Sequence, residues 1–307
     1  MHRGIAFQFG RATKRSYFGN EIGKQLLKTR EVTESCVRSD FDFHFVDAEW
    51  QRNYMPATEL DSLLSWLDEL GSNLTIVVTI NARHQTAFDL SAEYAECMRQ
   101  HDNGGLCFVA GSSTYLSEEE RELDGESRII ELVKTSRSKL PSAPIFLGSE
   151  GMHPLSLQVA ASHNVIPFML LGKKTLNTLA ERNSTYGVSE SAVYCPAYLS
   201  SHDEKKLVKA FGPYALRRRW VRRLLREHGL NVADVKSQIS NGGLTERTTE
   251  NLLANAIREL ALCKGDHAEQ TLRSLSSLGV RYAAVLQAEQ SAEEFENLRK
   301  LASQFNN

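Results

Sequence analysis

Residues 74–110 decide the fold, and their sequence is LTIVVTINARHQTAFDLSAEYAECMRQHDNGGLCFVA. The segment Leu74–Ile80 is apolar or β-branched throughout, which predicts a strand that is buried on both faces. Apolar residues recur at helical spacing within Phe88–Gln100, and Gly105–Ala110 is a second apolar run of strand length. The stretch is therefore a strand–helix–strand unit, and its two strands are expected to lie parallel in one sheet.

The same alternation runs through the rest of the 307-residue chain. Strands are predicted to begin near positions 4, 41, 74, 105, 143, 165, 191 and 280. Eight such units predict a single domain, residues 1–307, that folds as a (β/α)8 TIM barrel, with extra helices between strands seven and eight. An open doubly wound sheet is the alternative, although no G-x-G-x-x-G motif follows the first strand.

Two long helical segments carry specific predictions. Ser117–Lys139 is predicted to be one helix that begins with a capping box formed by Ser117 and Glu120. Ser201–Glu227 is predicted to be another helix, broken near Gly212-Pro213 because proline interrupts the helical hydrogen bonds.

The end of that second segment, Arg217–Arg226, holds six arginines and Trp220. Its apolar residues share one helical face, which favours a surface helix docked on the protein. A lid whose arginine reaches an anionic ligand, and a nucleic-acid surface, are the alternatives.

Composition argues against several classes of protein. The formal net charge of −2 gives no general attraction to nucleic acid or membranes. No run approaches the roughly 20 apolar residues of a membrane span, and no signal peptide is visible, so we expect a cytoplasmic protein. The five cysteines are scattered without metal-site spacing, which predicts free thiols and no metal site.

The ends of the predicted strands carry the candidate site, because barrels bind ligands at the C-terminal ends of their strands. Ala110–Ser113 and Gly148–Met152 place glycines and hydroxyls at strand-to-helix turns, where the following helix N-terminus favours a phosphate. Ordinary turns and helix caps use the same residue types. His84 after the third strand, and Asp47 and Glu49 after the second, are candidates for proton transfer, and surface ion pairs are the alternative for the two carboxylates.

The order and spacing of these motifs resemble those of the bacterial-luciferase-like flavin enzymes. The resemblance is carried by residues 79–111, by residues 145–151 followed by 165–170, and by residues 250–285. This chain departs from the family in four places. Gln85 replaces a proline, Gly105 replaces the arginine of a Ser-x-Gly-Arg motif, and Ser112 stands where a phosphate-binding arginine is expected. The segment Asp47-Ala48-Glu49-Trp50 lacks the histidine of the light-emitting subunit.

The resemblance implies that the strand ends hold FMN or a deazaflavin. The phosphate would lie on the turns after strands four and five, and the flavin ring on the end of strand three, where the family often has a cis peptide. The cofactor-binding residues expected are Phe7, Thr79, Ile80, Asn81, Ala110, Gly111, Ser112, Ser113, Gly148, Ser149, Glu150, Gly151 and Met152.

The activity implied by the resemblance is that of a flavin-dependent monooxygenase. Reduced FMN, supplied by a separate flavin reductase, would react with oxygen to oxidise a small organic substrate, with His84, Asp47 and Glu49 as catalytic residues. A deazaflavin-dependent oxidoreductase and a non-catalytic subunit are the alternatives. Members of the family often pair, so we expect a homodimer or heterodimer, with an interface near Asp61–Leu70.

Overall fold

The structure of the chain is a computed structural model that describes residues 2–7, 22–39, 41–47, 49–50, 53–110, 116–148, 154–172, 179, 181, 184–188, 190–199, 202–287 and 292–303. Within these ranges, no helix combines the length and apolar character needed to cross a membrane.

Eight parallel strands close into a barrel. Each strand pairs with the next along the chain, and the last pairs with the first, so no barrel strand is left at an open edge. The barrel strands are β1 (His2–Phe7), β2 (Phe43–Asp47), β5 (Thr75–Asn81), β6 (Gly104–Val109), β7 (Ile145–Gly148), β8 (Ile166–Leu170), β9 (Ser191–Tyr198) and β11 (Val280–Gln287). The closed ring confirms the predicted (β/α)8 barrel and excludes the open doubly wound sheet.

Among the described residues, three short strands lie outside this ring. β3 (Glu49–Trp50) and β4 (Asn53–Tyr54) pair antiparallel with each other, and β10 (Leu262–Cys263) pairs with the C-terminal end of β9.

Helices surround the barrel and fill the long connection before the last strand. The described helices are α1 (Ile22–Arg38), α2 (Ala57–Glu69), α3 (Ala87–Met98), α4 (Glu118–Glu122), α5 (Gly125–Lys139), α6 (Pro154–His163), α7 (Glu204–Ala215), α8 (Arg219–Glu227), α9 (Val232–Ser240), α10 (Arg247–Arg258), α11 (Asp266–Ser277) and α12 (Ala292–Ser303). Helices α7 to α10 lie between β9 and β11, which confirms the predicted extra helices between strands seven and eight.

Aromatic rings fill the inside of the barrel. Phe45 stacks on Phe168 with a centroid distance of 4.9 Å, and Phe146 meets Phe45 edge-on at 5.0 Å. Phe43, Tyr194 and Tyr282 belong to the same inner cluster. The larger apolar layer lies outside the strands, between the sheet and its helices, so the barrel is packed on both faces.

The extra helices have an apolar cluster of their own. It includes Phe211 of α7 and Leu253 of α10, and Tyr198 at the end of β9 links it to the barrel. In α8, Val221 and Leu225 are buried while Arg219, Arg223 and Arg226 are exposed. The basic helix therefore has the amphipathic form of a docked surface helix.

The helix predicted over Ser117–Lys139 is wrong in its middle, because the structure divides it into α4 and α5. The capping box of Ser117 and Glu120 begins α4 as predicted. Asp124 then begins a new helix by accepting hydrogen bonds from the N–H groups of Glu126 and Ser127.

The position of the second predicted break is also wrong. Pro213 lies inside α7, which continues to Ala215, and the chain leaves the helical conformation at Arg218 before α8 begins.

Candidate functional site

The mouth of the barrel, at the C-terminal ends of the strands, has a wall of half-buried residues. Val77, Cys107 and Phe146 belong to the inner aromatic cluster, and the residues two positions further along their strands share their inward face. These inward residues are Thr79 and Asn81 on β5, Val109 on β6 and Gly148 on β7, and Leu170 of β8 joins them. The mouth is thus a cup whose floor is the buried aromatic cluster.

Two of the predicted cofactor residues lie on the outer side of the strands. Ile80 is buried in the outer apolar layer, and Ala110 packs against that layer. These two can therefore support the wall from behind it. Phe7 is described as a strand residue only, and it pairs with Val46 in the register of β1 and β2.

The remaining predicted residues fall largely outside the described part of the chain. Gly111, Ser112, Ser113, Ser149, Glu150, Gly151 and Met152 are not among the described residues. Asp47 and Glu49 are described as strand residues only, and Asp47 pairs with Thr79 in the register of β2 and β5. The phosphate site and the roles of the two carboxylates therefore stay predictions.

Gly148 is required by packing between strands. A Cβ atom on Gly148 would lie 2.5 Å from Cγ1 of Val109 and 3.2 Å from the carbonyl oxygen of Phe108. A larger residue would push β7 away from β6 at the rim of the mouth. Gly148 therefore shapes the wall whether or not a ligand touches it.

His84 lies in the loop that follows β5, and it is almost fully buried. Its side chain is 2% exposed, and its Nδ1 atom lies 3.4 Å from Oε1 of Glu120. The same Glu120 accepts hydrogen bonds from the backbone N–H groups of Gln85 and Ser117. Burial raises the pKa of Glu120, but these hydrogen bonds and His84 outweigh it and hold the pKa below its usual value of 4.5.

Arg83 fastens the same loop to its neighbours. Its Nε donates to the carbonyl oxygen of Ala110, and its Nη1 donates to the carbonyl oxygens of Arg121 and Leu123 at 2.5 and 2.7 Å. The last two carbonyls lie at the end of α4, so the guanidinium caps that helix. Arg83 thereby stabilises the end of α4, while Asp124 begins α5, and the donors of Arg83 are directed at the backbone.

A second arginine holds the loop from the opposite side. Arg128 of α5 donates to the carbonyl oxygens of Ala82 and His84, at 2.6 and 2.8 Å, and its guanidinium lies over the ring of Phe88. Sequence reasoning missed Arg128 and the second role of Glu120. The capping box identified Glu120 as a helix residue, but nothing in its spacing indicated contact with His84.

Thr79 and Asn81 have short side chains and residue 148 is a glycine, and all three are half-buried above the aromatic floor. Asn81 also accepts a hydrogen bond from the N–H of Arg83, which fixes the end of β5. The described peptide bonds, including those of residues 79–81, are all trans, so the cis peptide of the resembled family is not found there.

Solved structures share this fold along nearly their whole length. The chain is similar to an F420-dependent secondary alcohol dehydrogenase in complex with an F420-acetone adduct, with a TM-score of 0.64 and 11% identity, over 100% of this chain and 99% of that one. It is also similar to the oxygenating constituent of 3,6-diketocamphane monooxygenase from Pseudomonas putida, in complex with FMN, with a TM-score of 0.63 and 13% identity, over 99% and 97% of the two chains. The chain therefore shares the TIM-barrel fold of these two proteins.

Two sequence comparisons give closer relationships. Over 198 residues the chain is 28% identical to the uncharacterized protein MJ1239 of Methanocaldococcus jannaschii, and this match covers 64% of the chain and 75% of that relative. A family described as a family of unknown function, DUF7388, matches residues 20–295. Because that match spans most of its length, the chain belongs to the DUF7388 family.

Proposed function

We propose that this chain is a flavin-dependent oxidoreductase, and specifically a monooxygenase that uses reduced FMN and oxygen on a small organic substrate. The observation that carries the proposal is the half-buried, inward-facing wall of Thr79, Asn81, Val109 and Gly148 above the buried aromatic cluster, at the end of the barrel where such folds bind ligands. Proteins of similar fold bind FMN or the deazaflavin F420, which supports a cofactor of this class.

In this proposal the cofactor supplies the redox chemistry: it delivers two electrons, and one oxygen atom of O2 enters the substrate while the other leaves as water. Thr79 and Asn81 contact the flavin ring from β5, and Gly148 lets β6 and β7 approach closely at the rim. Residues 111–113 and 149–152 hold the phosphate. A separate reductase supplies the reduced FMN, and the chain works as a homodimer or heterodimer.

His84 has a positioning role in this proposal. Its ring is buried against Glu120, and its backbone carbonyl accepts a hydrogen bond from Arg128. These contacts fix the loop at the end of β5, directly after the wall residue Asn81. A rigid loop keeps the cup in a shape that is ready for the ligand.

A binding titration tests the proposal. The purified chain is titrated with FMN, reduced FMN and the deazaflavin while the fluorescence of the cofactor is followed, and reduced FMN is expected to bind most tightly. Preference for the deazaflavin would instead assign a deazaflavin-dependent oxidoreductase. Failure of all three to bind would overturn the proposal.

A matched pair of variants on β5 locates the binding site. Thr79→Leu fills the mouth, so we expect cofactor affinity to fall about tenfold or more, which corresponds to roughly 1.4 kcal/mol. Thr75→Leu adds the same bulk to the same face of β5 but at the other end of the strand. Equal loss of affinity in the two variants would contradict a site at the mouth.

A further inference from the structure

A second group of reactive side chains lies at the end of the barrel opposite to the mouth. His101 belongs to the connection from α3 into the start of β6, and its side chain is 9% exposed. Its Nε2 lies 3.1 Å from Oδ1 of Asp61, and its Nδ1 lies 2.6 Å from Oδ2 of Asp68. The Sγ atom of Cys97 lies 3.8 Å from the same Asp61 oxygen.

Helical geometry explains how distant residues meet here. Asp61 and Asp68 are two turns apart on α2, and Cys97 lies at the end of α3 one turn before His101. Asp61 and Asp68 therefore lie on one side of α2, and Cys97 and His101 lie opposite to them. Sequence spacing between cysteines could not indicate this arrangement, because a single cysteine takes part.

The contacts of His101 have the pattern of a metal-binding histidine. Such a histidine donates one ring N–H to a carboxylate, and this leaves the other nitrogen to face the metal. Asp68 is placed as that carboxylate acceptor, and its other oxygen accepts a hydrogen bond from Asn103. Nε2 then faces Asp61, and the contact between this nitrogen and a carboxylate oxygen requires a proton or a cation between them.

The spacing of the three remaining atoms fits a tetrahedral ion. Metal–ligand bonds of zinc to nitrogen, oxygen and sulfur place such ligand atoms roughly 3.3–3.6 Å apart. The observed separations are 3.1 Å from Nε2 to Oδ1 and 3.8 Å from Sγ to Oδ1, and one ligand atom of each of the three residues lies within 4.8 Å of the others. In the metal-free protein a proton on Nε2 and the thiol proton of Cys97 satisfy the contacts with Asp61, and a bound cation would replace both protons.

We propose that Asp61, Cys97 and His101 bind a divalent cation of the zinc class, with Asp68 orienting His101 and water in the fourth position. The combination of nitrogen, thiolate and carboxylate suits zinc and cobalt, whereas magnesium and calcium prefer oxygen ligands. The ion would join α2 to α3 and to the start of β6. This site is independent of the proposed redox function.

Binding requires Cys97 to lose its proton. Burial raises the pKa of Cys97 to about 12, and Asp61 adds to that effect, so the metal-free side chain is a thiol. A bound cation reverses this electrostatic environment and stabilises the thiolate, with release of the proton to solvent. Affinity for the cation therefore falls as the pH is lowered.

Cobalt titration provides the test, because Co²⁺ reports its own ligands by absorption. The full-length protein is treated with a chelator, dialysed and titrated with Co²⁺. One ion per chain is expected, with the visible bands of a four-coordinate ion and a near-ultraviolet band from the thiolate ligand. Zn²⁺ is expected to displace it.

Variants separate the site from adventitious binding. Cys97→Ser removes the thiolate band, while Cys263→Ser, at the other half-buried cysteine, leaves it intact. Asp68→Asn is expected to weaken affinity about 10–100-fold, as loss of an orienting carboxylate does. Asp61→Asn changes a side chain that is 52% exposed, so it lowers affinity in a protein that remains folded.

Two results would overturn the proposal. One is wild-type protein that gives no thiolate band at millimolar Co²⁺. The other is a band that persists in Cys97→Ser. Circular dichroism of each variant confirms that lost binding reflects a lost ligand.

Discussion

Two buried histidines, His44 and His84, have different hydrogen-bond partners, and these partners determine the chemistry of each ring. His44 of β2 and His84 of the loop after β5 are both buried, but His84 faces the carboxylate of Glu120 whereas His44 contacts the hydroxyl group of Thr33 on α1. Thr33 donates its only hydroxyl hydrogen to the carbonyl oxygen of Thr29, so it must accept a hydrogen bond from Nδ1 of His44. This assigns the Nδ1–H tautomer to His44.

The pH dependence of stability should report this burial. Burial lowers the pKa of His44 to about 3 from its ordinary value of 6.5. In the unfolded chain His44 therefore binds a proton below pH 6.5, whereas in the folded chain it stays neutral down to about pH 3. The free energy of unfolding therefore keeps its full value above pH 6.5. Between pH 6.5 and about pH 3 it falls by about 1.4 kcal/mol per pH unit as the pH is lowered.

Urea unfolding at several pH values checks this expectation. His44→Asn keeps a donor for Thr33 but cannot take up a proton, so its free energy of unfolding should decline less steeply below pH 6.5. The comparison isolates His44 from the other eight histidines, since the chain has nine. Equal slopes in the two proteins would mean that His44 is protonated in the fold.

Elements of the barrel are connected by arginines whose partners are backbone carbonyls. Periodicity along the chain predicted the eight strands, because each buried strand leaves a local apolar pattern. It could not predict that Ser117–Lys139 divides into α4 and α5. The end of α4 is stabilised by Arg83, which is 38 and 40 residues away from the carbonyls it caps.

Replacing Arg83 tests the importance of this link. Arg83→Lys keeps the charge, but one ammonium group cannot reach carbonyls of Ala110, Arg121 and Leu123 together. We expect a loss of about 2–3 kcal/mol in the free energy of unfolding, and faster hydrogen exchange in α4 and in residues 81–86.

Arg121→Lys is the matched control, because the Arg121 side chain is exposed and only its carbonyl takes part in the link. It should leave stability nearly unchanged. If Arg83→Lys behaved like this control, the guanidinium would not be holding the loop or the end of α4.

At the scale of the whole molecule, the sequence predicts the barrel fold better than it predicts the contacts of the candidate site. Strand order and barrel closure follow from short-range patterns and from the handedness of strand–helix–strand connections. The mouth stays a prediction as the ligand site, and it rests on the general rule that barrels bind ligands at the C-terminal ends of their strands. The contacts of His84 with Glu120, and of His101 with Asp61 and Asp68, join residues more than 30 positions apart, and no periodicity records such pairs.

A single substitution in the interior of the barrel should change the free energy of unfolding of the whole fold. Phe146 lies at the centre, and its ring centroid is 6.0 Å from Phe43, 5.0 Å from Phe45, 6.0 Å from Phe168 and 5.5 Å from Tyr282. These rings come from β2, β8 and β11, so one side chain packs against strands on several sides of the barrel. Phe146→Ala should lower the free energy of unfolding by about 3–5 kcal/mol, because the closed barrel cannot collapse into the cavity.

Thermal and urea unfolding measure that loss. The control is Leu70→Ala, because the Leu70 side chain is 52% exposed and its truncation should change the free energy of unfolding by no more than about 0.5 kcal/mol. Phe146→Leu retains most of the volume and should fall between the two. A small effect of Phe146→Ala would mean that the interior is loosely packed, and the aromatic floor beneath the mouth could then no longer define the cup. The stability of the barrel and the shape of its candidate site depend on the same rings, so this substitution should also weaken any ligand that the mouth binds.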